Sequence, residues 1–254
     1  MMMRFWIKPA ICLALLGAGL TVSGCETNDA LGRNQLMLVD DATLEQSALA
    51  GWQEQLKTAK ISHDPVLNTR IQTVGARIVA AAGMGDRPWE YVLFDDDQPN
   101  AFVIPGNKVG VNTGLFKVVK NDDQLAAVIG HETGHVIAKH AAERASQQLA
   151  SQTFLQGVQV VTKGNVHDVV ANYGGLGAEL GFLLPYSRKQ ESEADRIGVD
   201  LMVKAGYKAS EAINLWQNMM ALNSGAPPEF MSTHPSDKTR IKDLQDYITS
   251  KGYR

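Results

Sequence analysis

The sequence predicts an α+β fold, a mainly helical domain with a small antiparallel sheet placed early in it. Apolar residues recur at helical spacing on both sides of a short region, 89–112, in which three runs have the pattern of strands. With 254 residues, 44% hydrophobic and 20% charged, the chain can bury a sizeable core, and global disorder is excluded. No internal repeat is visible, so a single folded domain is the economical prediction.

Local signals predict each element of this fold. Asp64 followed by Pro65 is an N-cap with proline at the first helical position. Asn121 with Gln124 resembles a capping box, and Ser210 and Ser236 have the character of N-caps for later helices. The predicted helices run over about 44–59, 65–83, 121–149, 189–203, 210–222 and 236–248, and the strands over 89–94, 101–104 and 108–112.

The charge balance and the cysteines exclude several classes of function. Twenty-four basic and 27 acidic side chains give a net charge of −3, and a mildly acidic chain has no electrostatic surface for nucleic acid. Both cysteines, Cys12 and Cys25, lie near the N-terminus. The body of the chain therefore has neither a disulfide framework nor a cysteine-ligated metal site.

Residues 1–24 predict a lipoprotein signal peptide. Arg4 and Lys8 form a positive start, and an apolar run over 10–20 follows, which is well short of the roughly 20 residues of a spanning helix. Small residues come next, as before a cleavage site. The alternative is an uncleaved short membrane anchor.

Val22-Ser23-Gly24-Cys25 resembles the bacterial lipobox, in which cleavage precedes a cysteine that carries lipid. Cys25 is therefore the predicted lipidation site, and residues 25–40 are the predicted lipidated N-terminus and tether. Glu26 stands where aspartate would resemble inner-membrane retention, so the prediction is a periplasmic-side anchor at the outer membrane. A multiply acylated cysteine anchors stably because each buried methylene contributes about 0.8 kcal/mol.

His131-Glu132-Thr133-Gly134-His135 lies inside the long predicted helix. Histidines at i and i+4 project from one face, so both rings can reach one ion. Glu132, beside them, can take a proton from a water whose pKa Zn²⁺ lowers to about 7. Because an apolar run precedes the motif, this face is predicted to be buried; the alternative is an exposed helix that happens to carry two histidines.

A third ligand must come from elsewhere. His140 is nine residues beyond His131, about 900° round a continuous helix, which makes it a poor ligand. Glu191 and Asp195 share a helical face, whereas Glu193 lies about 200° from Glu191. One of the two carboxylates on that face can bind zinc while the other accepts the outer N–H of a ligating histidine. The alternative is a solvated acidic face paired with neighbouring arginines.

The His-Glu-x-x-His motif, the segment 187–195 and Thr233-His234-Pro235 together resemble metallopeptidase family forty-eight. This is the gluzincin group of the CAAX prenyl proteases, the HtpX heat-shock protease, the mitochondrial Oma proteases and bacterial envelope lipoprotein proteases. The resemblance covers about 40–250 and is greatest to the minimal lipoprotein members. It implies a zincin-like fold and one zinc ion per chain, held by His131, His135 and Glu191.

The same resemblance implies roles for further residues. Glu132 would be the general base, Asp195 would orient a histidine ligand, and Asn100-Ala101-Phe102 would lie on a substrate-binding edge strand. His234 is the second candidate catalytic residue, either as a donor to the oxyanion or as a fourth zinc ligand that restrains the resting enzyme. Tyr186 and Arg240 are weaker candidates, for which packing and surface charge are the favoured explanations.

These observations predict a zinc metalloendopeptidase domain over 41–254 that hydrolyses misfolded or unassembled envelope proteins, with the outer-membrane assembly machinery as a candidate partner. Two alternatives stay open. One is an envelope chaperone or scaffold with a structural zinc site, against which an intact Glu132 argues. The other is a hydrolase of cell-wall peptide cross-links, which would use the same metal chemistry.

Overall fold

The structure, a computed structural model, describes residues 24–155, 186–222, 232, 234 and 238–253. The predicted signal peptide therefore lies outside the described residues, apart from Gly24. The strands are β1 (Cys25–Asn28), β2 (Arg33–Leu36), β3 (Glu90–Phe94), β4 (Ala101–Ile104) and β5 (Lys108–Asn112). The described helices are α1 (Asp41–Thr58), α2 (Pro65–Ala81), α3 (Asp122–Ile137), α4 (His140–Leu155), α5 (Arg188–Lys204), α6 (Ser210–Ala221) and α7 (Lys238–Ser250). The predicted α+β class is confirmed.

Two of the predicted N-caps, Asp64 and Asn121, are present, and a third helix begins with a capping box that was not predicted from the sequence. The Asp64 carboxylate accepts hydrogen bonds from two backbone N–H groups at the start of α2. At the start of α3, the side-chain oxygen of Asn121 accepts one from the backbone N–H of Gln124. Ser187 and Gln190 form a reciprocal capping box at the start of α5. The prediction for Ser210 was wrong, because Ala209 holds the N-cap position and Ser210 is the first helical residue. The predicted cap Ser236 lies outside the described residues.

The long helix predicted over 121–149 is two helices. Lys139 has a φ of 51°, in the left-handed region, and this interrupts the backbone hydrogen-bond ladder between α3 and α4. The chain therefore changes direction just before His140. The angular argument that set His140 on the far side of the helix from His131 does not hold, because it assumed one continuous helix.

The three-stranded sheet formed by β3, β4 and β5 is mixed, whereas the sequence predicted an antiparallel sheet. Its strand order is β3-β5-β4, with β4 antiparallel and β3 parallel to β5. A tight turn joins β4 to β5, in which Gly106 (φ 89°) and Asn107 (φ 58°) adopt left-handed conformations. The connection between β3 and β4 instead carries the chain past β5 to the far edge. As a result β4 is an edge strand, and it lies against α3.

The main core lies between the sheet and the helices α2, α3, α5 and α6. A smaller cluster, which includes Trp52, Phe94 and Phe102, packs α1 against the sheet. α3 is buried continuously from Gln124 to His135, so it is the central helix of the domain. No helix among the described residues has both the length and the apolar character needed to cross a bilayer.

The segment predicted to be a tether contains a β-hairpin. β1 and β2 pair with Cys25 opposite Leu36, and the hairpin docks on the turn between α3 and α4. The side chain of Gln35 donates to the carbonyl of Ala138 at 2.7 Å, and Asn28 donates to the carbonyl of Ile137 at 3.3 Å. Long-range hydrogen bonds of this kind leave no local sequence pattern, which is why polar composition alone suggested a linker.

Candidate metal centre

Two helices cross at glycines to build the site. A Cβ atom at Gly134 in α3 would lie 2.7 Å from the carbonyl oxygen of Ala194 in α5. A Cβ atom at Gly198 would lie 2.8 Å from the backbone nitrogen of His131. Only glycine permits this backbone approach, which brings the side chains of the His-Glu-x-x-His motif against those of Glu191 and Asp195.

The three predicted metal ligands meet at one point. The Nε2 atoms of His131 and His135 are 3.0 Å apart. The carboxylate oxygens of Glu191 lie 3.5 Å from His131 Nε2 and 3.4 Å from His135 Nε2. His234 joins them, since candidate ligand atoms of all four buried residues lie within 4.8 Å of one another.

The chemistry and spacing of this cluster fit zinc. Zn–N and Zn–O bonds of about 2.0–2.1 Å in a tetrahedral site put neighbouring ligand atoms about 3.3 Å apart. The separations between His131, His135 and Glu191 are 3.0–3.5 Å. Oε1 of the fully buried Glu191 accepts no hydrogen bond among the described residues, and a cation would satisfy it.

Asp195 and Arg240 support one side of the cluster. Asp195 Oδ1 is 2.9 Å from Nδ1 of His131, which leaves Nε2 to face the other ligands. The Arg240 guanidinium donates to both oxygens of Asp195, at 2.6 and 2.8 Å, and its Nη1 lies 2.5 Å from Glu191. Arg240 also stacks on Trp216 at 3.8 Å. It is therefore a buried bridge between carboxylates, and the expectation of a surface charge was wrong.

A second histidine supports His135, and sequence reasoning missed it. Nδ1 of His135 is 2.9 Å from Nδ1 of His140, whose Nε2 is 3.1 Å from a carboxylate oxygen of Glu193. Burial raises the pKa of Glu193, but hydrogen bonds from His140 and Arg33 outweigh it and lower the value to about 2. No sequence signal pointed to this contact, because lysine at 139 does not mark a helix end.

Glu132 lies between the histidine cluster and the edge strand. This residue is 1% exposed and lies 3.5 Å from Nε2 of His234, and the backbone N–H of Val103 in β4 favours its ionised form. Burial raises the pKa of Glu132 to about 8. A carboxyl group with this pKa can exchange a proton near neutral pH.

Burial and neighbouring charges shift the pKa values of the three candidate ligands in different directions. Burial lowers the pKa of His131, but the charges of Glu191 and Asp195 outweigh it and raise the value to about 9. For His135 burial prevails, and its pKa lies well below the usual range. Burial opposes ionisation of Glu191, yet the Arg240 charge holds its pKa well below the usual range. The centre thus keeps its carboxylate ligand ionised at neutral pH.

A cavity of about 190 Å³ opens beside the cluster. Its walls include Val103 and Ile104 of β4, His135 and Tyr186. Tyr186 stacks on His135 with ring centres 3.9 Å apart, and Arg144 lies 3.9 Å above the tyrosine ring. The cavity therefore joins the edge strand to the candidate ligands.

The predicted substrate strand has its side chains in the core. Asn100 and Ala101 are buried, and Phe102 stacks on Phe94 at the interface with α1. Asn100 pairs with β5, since its carbonyl accepts from the backbone N–H of Asn112. Alternation along the strand then directs the backbone groups of Ala101 and Val103 to the open edge.

Comparison with known proteins gives one family. The profile of peptidase family M48 matches residues 65–248, which contain every candidate ligand.

Individual relatives agree with this match. The mitochondrial metalloendopeptidase OMA1 of Schizosaccharomyces pombe is 38% identical over 70% of this chain and 52% of its own length. The beta-barrel assembly-enhancing protease of Yersinia pestis is 30% identical over 92% of this chain and 51% of its own length. The OMA1 metalloendopeptidase of Bos taurus is 30% identical over 88% of this chain and 46% of its own. The chain thus spans about half the length of these relatives.

Proposed function

The chain belongs to peptidase family M48, and on that basis we propose that it is a zinc-dependent endopeptidase acting on proteins of the bacterial cell envelope. The observation that carries the proposal is the convergence of His131, His135 and Glu191 beside a buried acid, Glu132. Metal ligands alone would serve a structural site. A buried carboxyl group next to them, outside the ligand set, is what hydrolysis requires.

His131, His135 and Glu191 would hold the zinc ion, with Asp195 orienting His131. Bound zinc supplies Lewis-acid polarisation of the scissile carbonyl and makes hydroxide available near neutral pH. Arg240 keeps the two carboxylates charged and in position through its contacts of 2.5–2.8 Å.

Glu132 is the proposed general base. Its carboxylate takes a proton from the attacking water and returns it to the leaving amine. The backbone N–H of Val103 favours the ionised carboxylate from the side of the edge strand, and burial excludes bulk water that would compete for the proton.

An extended substrate segment would bind alongside β4. Within the predicted segment Asn100-Ala101-Phe102, Ala101 would contribute main-chain groups, because the backbone groups of its two neighbours face β5 and all three side chains pack in the core. The cavity at Val103, His135 and Tyr186 is the adjoining space for a substrate side chain. Binding through main-chain groups suits a protease that accepts many unfolded sequences.

His234 is the proposed fourth ligand of the resting enzyme. Its ligand atom lies within 4.8 Å of those of the other three residues, and its Nε2 is 3.5 Å from Glu132. A histidine in that position holds the base and the metal site closed until substrate or a partner moves the segment. The second candidate role is donation to the oxyanion during the reaction.

The proposed location is the periplasmic side of the outer membrane, with the chain attached through lipid on Cys25. Cys25 is exposed at the start of β1, where acylation would not disturb the domain. Relatives named beta-barrel assembly-enhancing proteases support envelope proteins as substrates and the outer-membrane assembly machinery as a partner.

Cleavage of casein and of an unfolded outer-membrane protein, with and without a chelator, tests the proposal. The matched variant is Glu132→Gln, which keeps the size of the side chain and all candidate ligands. We expect it to retain one zinc per chain and to lose at least about 10²-fold in rate. Retained proteolysis in this variant would overturn the assignment of the base. Zinc binding without any peptide hydrolysis by the wild type would favour a chaperone or scaffold.

A further inference from the structure

The N-terminal hairpin reaches the candidate metal centre through a chain of side chains. In β2, Arg33 donates from Nε and Nη2 to both carboxylate oxygens of Glu193, at 2.6 and 2.7 Å. Glu193 then contacts His140 at 3.1 Å, and His140 contacts His135 at 2.9 Å. Three side chains, those of Arg33, Glu193 and His140, thus connect a hairpin that begins at Cys25 with the candidate zinc ligand His135.

This chain of contacts is shielded from solvent and anchored at its outer end. His140 is fully buried, and the side chains of Arg33 and Glu193 are 17% and 16% exposed. Arg33 also donates to both oxygens of Glu143, which accepts further hydrogen bonds from Gln35 and Gln190. Because these hydrogen bonds must form together, the side chains of Arg33 and Glu193 are held in essentially one conformation.

The contacts dictate where the protons lie. If His135 binds zinc through Nε2, its Nδ1 carries the remaining proton and donates to Nδ1 of His140. His140 must then be protonated at Nε2, which donates to the ionised Glu193. Each ring has one permitted tautomer, selected by the carboxylate at the end. Asp195 selects the tautomer of His131 by direct contact, whereas the tautomer of His135 is selected by Glu193 through the ring of His140.

We propose that His140, Glu193 and Arg33 are positioning residues that set the ring orientation and tautomer of His135, so that docking of the hairpin and binding of the metal are coupled. This inference rests on the proposed function, because it takes His135 to be a zinc ligand. Coupling is reciprocal, so the hairpin strengthens metal binding and bound metal strengthens docking of the hairpin. A partner that displaced the hairpin would thereby weaken the metal centre.

Zinc affinity of the purified full chain, measured by competition with a chromophoric chelator, tests the first half of the proposal. We expect His140→Leu to weaken zinc binding by about 10–100-fold and Arg33→Met by about tenfold. His140→Asn should bind within about threefold of wild type, because its side-chain oxygen can take the place of Nδ1 as acceptor. The matched control is Arg70→Met, which removes a surface ion pair with Asp122 of similar length, 2.7 Å.

Hydrogen exchange of the β1–β2 amides tests the second half of the proposal, first in the wild-type chain and then in one variant of the network. Adding Zn²⁺ to the metal-free wild type should slow exchange in the hairpin, and this effect should disappear in His140→Leu. The proposal is overturned if Arg33→Met and His140→Leu both bind zinc like the control, or if zinc leaves hairpin exchange unchanged in wild type. A wild-type chain that does not bind zinc would instead overturn the proposed function.

Discussion

Gly198→Ala should push α3 and α5 apart and weaken the metal centre without altering any of its side chains. A methyl group at Gly198 would lie 2.8 Å from the backbone nitrogen of His131 and 2.9 Å from the carbonyl carbon of Gly130. Ordinary contacts of a Cβ atom begin at about 3.4 Å, so the helices must separate by about 0.6 Å, the difference between 3.4 and 2.8 Å. These neighbours are backbone atoms, which cannot avoid the new methyl group by a change of rotamer.

The size of the effect follows from this displacement. Overpacking costs about 1–3 kcal/mol, and the better helix propensity of alanine offsets about 1 kcal/mol. We therefore expect the free energy of unfolding to fall by roughly 0–2 kcal/mol. Glu191 lies on the same helix, and a ligand must be held within about 0.5 Å of its working position. Zinc affinity should consequently fall by about tenfold or more.

Chelator competition measures the zinc affinity, and thermal unfolding of the metal-free protein measures the stability. Gly85→Ala is the control, because its new methyl group would meet its nearest neighbour, the Cα of Ala80, at 3.8 Å. That variant should match wild type in both measurements. If Gly198→Ala binds zinc as tightly as Gly85→Ala does, the helix crossing does not set the ligand geometry and the reasoning is refuted.

Three further substitutions test single residues. Asp195→Asn should weaken zinc binding by about 10–100-fold, because the amide supports His131 less well than the carboxylate; a loss as large as that of Glu191→Ala would mark Asp195 as a ligand. His234→Ala should cleave casein faster if the histidine restrains the resting enzyme, whereas a slowing of about 10²-fold would indicate the oxyanion role. Cys25→Ser should leave casein cleavage unchanged and release the protein from membranes; a membrane-bound variant would indicate an uncleaved anchor instead.

The sequence predictions that the structure confirms depend on interactions between residues a few positions apart in the chain. The capping side chains of Asp64 and Asn121 act within three residues of themselves, so their hydrogen bonds could be read from the sequence. The shared face of His131 and His135 likewise needs only helical geometry over one turn. The roles proposed for these residues, and for Glu132, stay predictions until the variants are measured.

Predictions based on such local interactions failed wherever the chain departed from regular geometry. The prediction that His140 faces away from the site assumed an unbroken helix, and a single left-handed residue, Lys139, made it wrong. The antiparallel sheet assumed that neighbouring strands in sequence pair with each other, whereas β3 pairs in parallel with β5. No residue in the sequence marks either departure. Lysine rarely adopts the left-handed conformation, so Lys139 does not indicate a helix end, and the residues between β3 and β4 do not show that the chain crosses to the far edge of the sheet.

The sequence by itself determined which residue types could bind a metal and move a proton, because the motif and its helical spacing are local properties of the chain. Only the tertiary structure decided how those residues are supported. Arg33 and Glu193 are 160 positions apart, and Arg240 and Asp195 are 45 apart, yet both pairs meet at 2.6 Å. Such pairs form because a buried charge must find a partner wherever the packing of helices brings one, and periodicity within a single helix carries no information about that packing.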